Sequence, residues 1–136
     1  MYEIFEHTAD IGLRVRAHDL NLLFSEAAKG LFSLIVANLD RVQCVTERAY
    51  NLPHDDYDLL LFDWLSEMLF TFETDHLLFS EFNVQLTDRG LTATCRGEQL
   101  DLERHAADHE VKAITYHGLK VEPVDSGWFA EVIVDI

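Results

Sequence analysis

Hydrophobic and polar positions alternate at the start of the chain. Tyr2, Ile4 and Glu6 fall on one face, and Glu3, Phe5 and His7 on the other. Leu13, Val15 and Ala17 then alternate with Arg14, Arg16 and His18. A period of two is the signature of a half-buried strand, so both segments are predicted strands. Between them, Thr8-Ala9-Asp10-Ile11-Gly12 is a short polar break with a glycine, which predicts a turn or bulge. The period then lengthens. Asp19 is an N-cap residue type, and Leu20, Leu23, Phe24, Ala27, Leu31, Leu34 and Ile35 follow at helical spacing. Gly30 inside this pattern costs about 1 kcal/mol against alanine, which points to close approach of another backbone.

Residues 42–51 read as a strand, with Val42 and Cys44 set against Gln43 and Glu47. Pro53-His54-Asp55-Asp56 opens a second helix, its acidic start suited to the positive end of the helix dipole. The seam of that helix is Leu61, Trp64, Leu65, Met68, Leu69 and Phe72. Leu59, Leu60, Phe62 and Phe70 widen it almost all round and predict burial on more than one side, with Asp63 and Glu67 as the only polar strip. Phe82, Val84 and Leu86, a turn at Thr87-Asp88-Arg89-Gly90, and Leu91, Ala93 and Cys95 form a predicted hairpin. Residues 101–108 are polar, with room for one helical turn. Residues 111–121 and 128–135 are predicted strands joined through Pro123-Val124-Asp125-Ser126-Gly127. The pattern predicts one α+β domain over residues 1–136, a mostly antiparallel β-sheet packed with two main helices.

Composition narrows the function. The chain has 136 residues, 49% of them hydrophobic, so it can bury a core without staples. Lys and Arg number 10 against 25 Asp and Glu, a net charge of −15. Such a chain meets phosphate backbones against long-range repulsion, so no direct nucleic-acid binding is expected; a cation or a basic protein suits it better. Its two cysteines, Cys44 and Cys95, form no C-x-x-C and read as reduced thiols, in keeping with a reducing, cytoplasmic compartment. The N-terminus has no signal-peptide pattern, and the apolar stretches are too short to span a membrane.

No phosphate-binding loop, nucleophile elbow or zinc-helix motif is present in the sequence. The informative feature is Glu131-Val132-Ile133-Val134-Asp135-Ile136, an apolar strand closing on an aspartate. If the first and last strands are parallel neighbours, Asp10 and Asp135 leave the sheet at the same end. With the α-carboxylate of Ile136 and with His7 they would form a hard, oxygen-rich site for Ca2+, Mg2+ or Mn2+. Read alone, Asp10 is most simply a turn residue, Asp135 a solvated strand end and His7 a strand or turn histidine. His105 and His109 read as a solvated pair. Lys112 is a candidate ion-pair partner for one of these carboxylates.

The chain resembles the archease family. The resemblance rests on Tyr2-Glu3, His7-Thr8-Ala9-Asp10-Ile11-Gly12, Leu23-Phe24-Ser25-Glu26-Ala27-Ala28, Gly30-Leu31-Phe32, Trp64-Leu65-Ser66-Glu67, Glu110-Val111-Lys112-Ala113-Ile114-Thr115-Tyr116-His117 and Val134-Asp135-Ile136. It covers essentially the whole chain. It implies an archease-like fold and a divalent metal ion, Ca2+ foremost with Mn2+ or Mg2+ as alternatives. The metal residues it implies are Asp10 and Asp135, with His7 and the Ile136 carboxylate; Glu67 and Lys112 match motifs without an assigned role. It also implies a partner, an RtcB-type RNA ligase, whose guanylylation and multiple turnover the family promotes during tRNA splicing and RNA repair. The chain would then be a protein cofactor rather than an enzyme. A chaperone-like interaction module and a metal-dependent hydrolase are the alternatives.

Overall fold

The structure, a computed structural model, describes residues 1–7 and 10–136, without the side chain of His7. Of the predicted break over residues 8–12, Thr8 and Ala9 lie outside the described residues, while Asp10, Ile11 and Gly12 belong to a strand instead of a turn. Two helices form where the period predicts them. α1 (Leu20–Ile35) begins at Asp19, whose carboxylate accepts the Leu22 N–H at 2.8 Å. α2 (Tyr57–Asp75) begins at Asp56, which accepts the Leu59 N–H at 3.0 Å, and ends at His76 in the left-handed region, φ 55°. These bonds satisfy amide donors that an uncapped helix leaves open.

The strands form two antiparallel sheets where the pattern predicts one. In the first, β1 (Tyr2–His7) pairs β2 (Asp10–Ala17). The next strand across is β8 (Gly127–Asp135). The far edge of β8 is shared by β6 (Ala113–Ile114) and β7 (Lys120–Val124), so the predicted strand over 111–121 is two short pieces around a turn. The second sheet orders β3 (Thr46–Pro53), β5 (Gly90–Gln99) and β4 (Leu77–Thr87). The predicted strand at 42–51 therefore starts later, at Thr46, and runs on to Pro53.

Both helices touch both sheets: α1 lies against β2 and β4, α2 against β6, β7, β3 and β4. The largest fully buried side chains are Trp64, Phe24, Phe32 and Phe79. The Trp64 Nε1–H donates to the Phe24 carbonyl at 3.0 Å, locking the two helices together. Gly30 is explained by a side chain and not by a backbone. A Cβ there would lie 2.5 Å from Cδ1 of Leu13, so the missing methyl seats a core leucine of β2 under α1. α2 meets α1 and both sheets, so it is buried on more than one side, as its composition predicts. Leu60, Leu61, Trp64, Leu65, Met68 and Leu69 are buried, and Phe70, 58% exposed, is an apolar residue left out of that burial. Cys95 is buried and Cys44 half-buried, and neither is disulfide-bonded. No helix among the described residues is long and apolar enough to cross a membrane.

Candidate functional site: an acidic cross-strand pair

Alternation along β2 and β8 sorts their side chains. Ile11, Leu13 and Val15 join Ala130, Val132 and Val134 in the core. The opposite face carries Asp10, Gly12, Arg14 and Arg16 beside Asp135, Ile133, Glu131 and Phe129, rung by rung. Asp10 thus stands directly across from Asp135. The first and last strands are not neighbours: β1 and β8 run in the same direction, but β2 lies between them and pairs antiparallel with both. The two residues still stand opposite each other, because Asp10 begins β2 instead of ending β1.

Directly opposed residues hold their Cβ atoms about 4.5–5.5 Å apart, and like charges there destabilise a sheet. The arginines on the other rungs have acidic partners, Arg16 lying 3.8 Å from Glu3. Arg14 Nε donates to Glu131 Oε1 at 2.7 Å, and its guanidinium lies 3.9 Å over the Phe5 ring. Arg16 and Lys120 flank the Phe129 ring at 4.8 and 5.5 Å. Asp10 and Asp135 have no ion-pair partner among the described residues. Gly12 permits the Phe5 placement, since a Cβ at Gly12 would sit 2.0 Å from the ring's Cζ. That gives the glycine of the H-T-A-D-x-G string a packing reason next to the pair.

The pair is held firmly. Val134 is fully buried and Ile11 nearly so, and the Ile136 side chain packs against the same core. On the other edge Ala113 is in register with Asp135, and the Lys112 N–H donates to the Asp135 carbonyl at 2.8 Å. Lys112 therefore reaches Asp135 through its backbone; its ammonium forms no ion pair among the described residues. The His7 backbone is in register with Asp10, while its side chain lies outside the described residues. Two half-buried carboxylates on opposed residues, without an ion-pair partner among the described residues, are hard oxygen donors of the type Ca2+, Mg2+ and Mn2+ prefer. Among the described residues they do not form a group of three or more His, Cys, Asp or Glu ligands. Glu67 lies on α2, half-buried, its carbonyl accepting the Thr71 hydroxyl at 3.1 Å.

A second polar constellation is invisible in the pattern. Glu98 on β5 is 5% exposed and His105 2% exposed, so His105 is not part of a solvated pair with His109. Arg104 grips the Glu98 carboxylate with both terminal nitrogens, and the Gln43 N–H donates to it at 2.7 Å. The His105 Nδ1 accepts the Asp101 N–H at 2.9 Å, so Nε2 carries the hydrogen and donates to Glu98 at 3.0 Å. Arg104 above all, aided by the Gln43 and His105 donors and opposed by burial, holds the Glu98 carboxyl down to about 2. The residues after this anchor lie across the end of α1. Asp108 and His109 N–H groups donate to the Ile35 and Leu34 carbonyls at 2.9 and 2.8 Å. The anchor thus fixes the path of residues 101–112 up to the backbone bond on Asp135.

Comparison with known proteins bears on the family and the fold. The model of the Archease protein family (MTH1598/TM1083) matches residues 2–136. The archease of Methanopyrus kandleri is 42% identical over 139 residues, covering 99% of each chain. That of Pyrococcus abyssi is 39% identical over 140 residues, covering 99% of this chain and 98% of its own. The solution structure of Methanobacterium thermoautotrophicum protein 1598 superposes with a TM-score of 0.86 at 37% identity, covering 99% of this chain and 98% of that one. The crystal structure of a Thermotoga maritima archease, described as a possible chaperone, shares the fold with a TM-score of 0.68 at 20% identity, covering 100% of this chain and 98% of that one.

Proposed function

The chain belongs to the archease family, and on that premise we propose that it activates an RtcB-type RNA ligase. In this reading it raises guanylylation of the ligase's active-site histidine and allows repeated turnover. The ligase joins ends bearing a 2′,3′-cyclic phosphate or 3′-phosphate to 5′-hydroxyl ends, as in tRNA splicing. The observation that carries the reading is the opposed pair Asp10 and Asp135, which has no ion-pair partner among the described residues. A protein that keeps two like charges face to face at a sheet end retains a destabilising contact, and a cation offsets it.

The proposed donors are Asp10 and Asp135, joined by His7 and the Ile136 carboxylate, and the proposed ion is Ca2+ with Mn2+ or Mg2+ as alternatives. When bound, the cation supplies positive charge that offsets the pair. The chain's own contribution is position. β2 and β8 fix the spacing of the carboxylates, Ile11 and Val134 anchor their strands in the core, and the Lys112 amide holds the Asp135 backbone. With a net charge of −15, the protein reaches RNA chemistry through a basic ligase surface and not by gripping RNA. The description of the Thermotoga protein as a possible chaperone belongs to the same broad class, a protein that acts on another protein.

The test counts ligated RNA per ligase molecule with GTP and a divalent ion. Wild type is expected to drive product past one equivalent, and Asp135→Ala to leave the ligase at a single turnover. The chain alone should neither hydrolyse GTP nor join RNA. Equal product above one turnover with both chains, or no gain from wild type, overturns the reading.

A further inference from the structure

The motif running from Glu110 to His117 contains a residue that the acidic pair does not use. Tyr116 is 60% exposed, yet its ring is stacked on Phe62 of α2, centroids 4.0 Å apart and planes 12° apart. Its backbone is tied as firmly. Thr115 donates to the Ile133 carbonyl through its N–H at 3.1 Å and its hydroxyl at 2.8 Å. The same hydroxyl accepts the His117 N–H at 3.2 Å, and the Leu119 N–H closes the turn onto the Tyr116 carbonyl at 3.2 Å. Tyr116 is therefore an exposed aromatic face presented in one orientation. Ala113, in register with Asp135, is three residues away, so at most about 11 Å of chain separates them.

The surroundings indicate what that face receives. Asp63 follows Phe62 on α2 and is exposed, and Phe70, also exposed, lies two turns further along with Glu73 after it. An exposed aromatic face on a protein of strongly negative net charge attracts a guanidinium through the ring quadrupole and through long-range charge. Rigid tyrosines that lose little entropy on docking are typical of interface centres. The net charge of −15 sets the sign of the partner.

We propose that the Phe62–Tyr116 stack is a docking contact that receives an arginine from the basic surface of the ligase, beside the acidic pair. This rests on the ligase reading above, and the experiment separates the two. Affinity for the purified ligase is measured by calorimetry for wild type, Tyr116→Ala and Tyr116→Phe, with folding checked by thermal unfolding. Tyr116→Ala is expected to bind at least tenfold more weakly and Tyr116→Phe within about twofold of wild type. Turnover with Tyr116→Ala should recover at saturating concentration, whereas Asp135→Ala should not recover at any concentration. If wild type binds and activates and Tyr116→Ala does so with equal affinity, the docking inference is overturned and the ligase reading stands. If wild type neither binds nor activates, both are overturned. The proposal also fails if Tyr116→Ala instead loses single-stranded RNA binding by the chain alone, or turns a dimer into a monomer, at unchanged ligase affinity.

Discussion

Replacing Asp135 by asparagine should make the metal-free protein more stable, not less. Asparagine keeps the shape of the side chain and removes one of two charges that face each other across β2 and β8. For unit charges about 5 Å apart the Coulomb energy is roughly 0.8 kcal/mol in water and roughly 3 kcal/mol at an effective dielectric of 20. Both carboxylates are half-exposed, so the lower end applies, about 1 kcal/mol. In a domain of this size that corresponds to a melting temperature about 3–5 °C higher in a chelating buffer. Added metal should reverse the order. At a hundredfold excess over the dissociation constant wild type gains about 2.7 kcal/mol, and the variant, short of a ligand, gains far less. The assay is thermal unfolding by tryptophan fluorescence, Trp64 and Trp128 reporting, with chelator and then with Ca2+ or Mn2+. Two curves that cross support the argument. An asparagine variant that melts lower in chelator, or responds to metal as strongly as wild type, refutes it.

Two further substitutions test the scaffold. Glu98 is held at about 2 against an ordinary value of 4.5, so its contribution is fully present above pH 4.5 and is lost as the pH falls toward 2. Discounted for the partly exposed Arg104 partner, that contribution is about 1–2 kcal/mol; Glu98→Gln should remove it and flatten the acid limb of the stability curve, and an unchanged limb in acid titration counts against the anchor. Asp19→Ala removes the N-cap of α1 and should cost about 1 kcal/mol in urea unfolding at an unchanged slope; no shift of the midpoint would show that the 2.8 Å bond to Leu22 is not holding the helix start.

What the chain reveals of itself depends on how local each determinant is. The helix starts at Asp19 and Asp56 and the turn at Thr87-Asp88-Arg89-Gly90 are written within a few residues, and the structure has them there. The division into two sheets is not local. Nothing in the spacing of Val132 or Val84 says which neighbour each strand will choose. The meeting of Asp10 and Asp135 is legible from two strands ending on acids, but its geometry is not, because assigning Asp10 to β1 or to β2 turns on a break of two residues. Phe70 shows the limit of counting apolar positions, since hydrophobic composition does not say which side of a helix meets a neighbour. Glu98 and His105 stay hidden for the opposite reason. Each sits in a polar stretch, and only tertiary pairing with Arg104 and the Gln43 amide makes their burial tolerable.

The pairing of β2 with β8 also sets a timetable. Arg14 and Glu131 are 117 residues apart, roughly 6–20 s of synthesis on a ribosome. Throughout that interval β2 has one partner, β1, and its other edge, with Leu13 and Val15 on the core side, faces solvent or a chaperone. The hairpin of β4 and β5 and its pairing with β3 are complete well before β8 emerges. The acidic pair is therefore assembled last, as one rung that does not exist until β8 inserts beside β2. A nascent or partly unfolded copy carries Asp10 without Asp135 opposite it, so it lacks the proposed cation site.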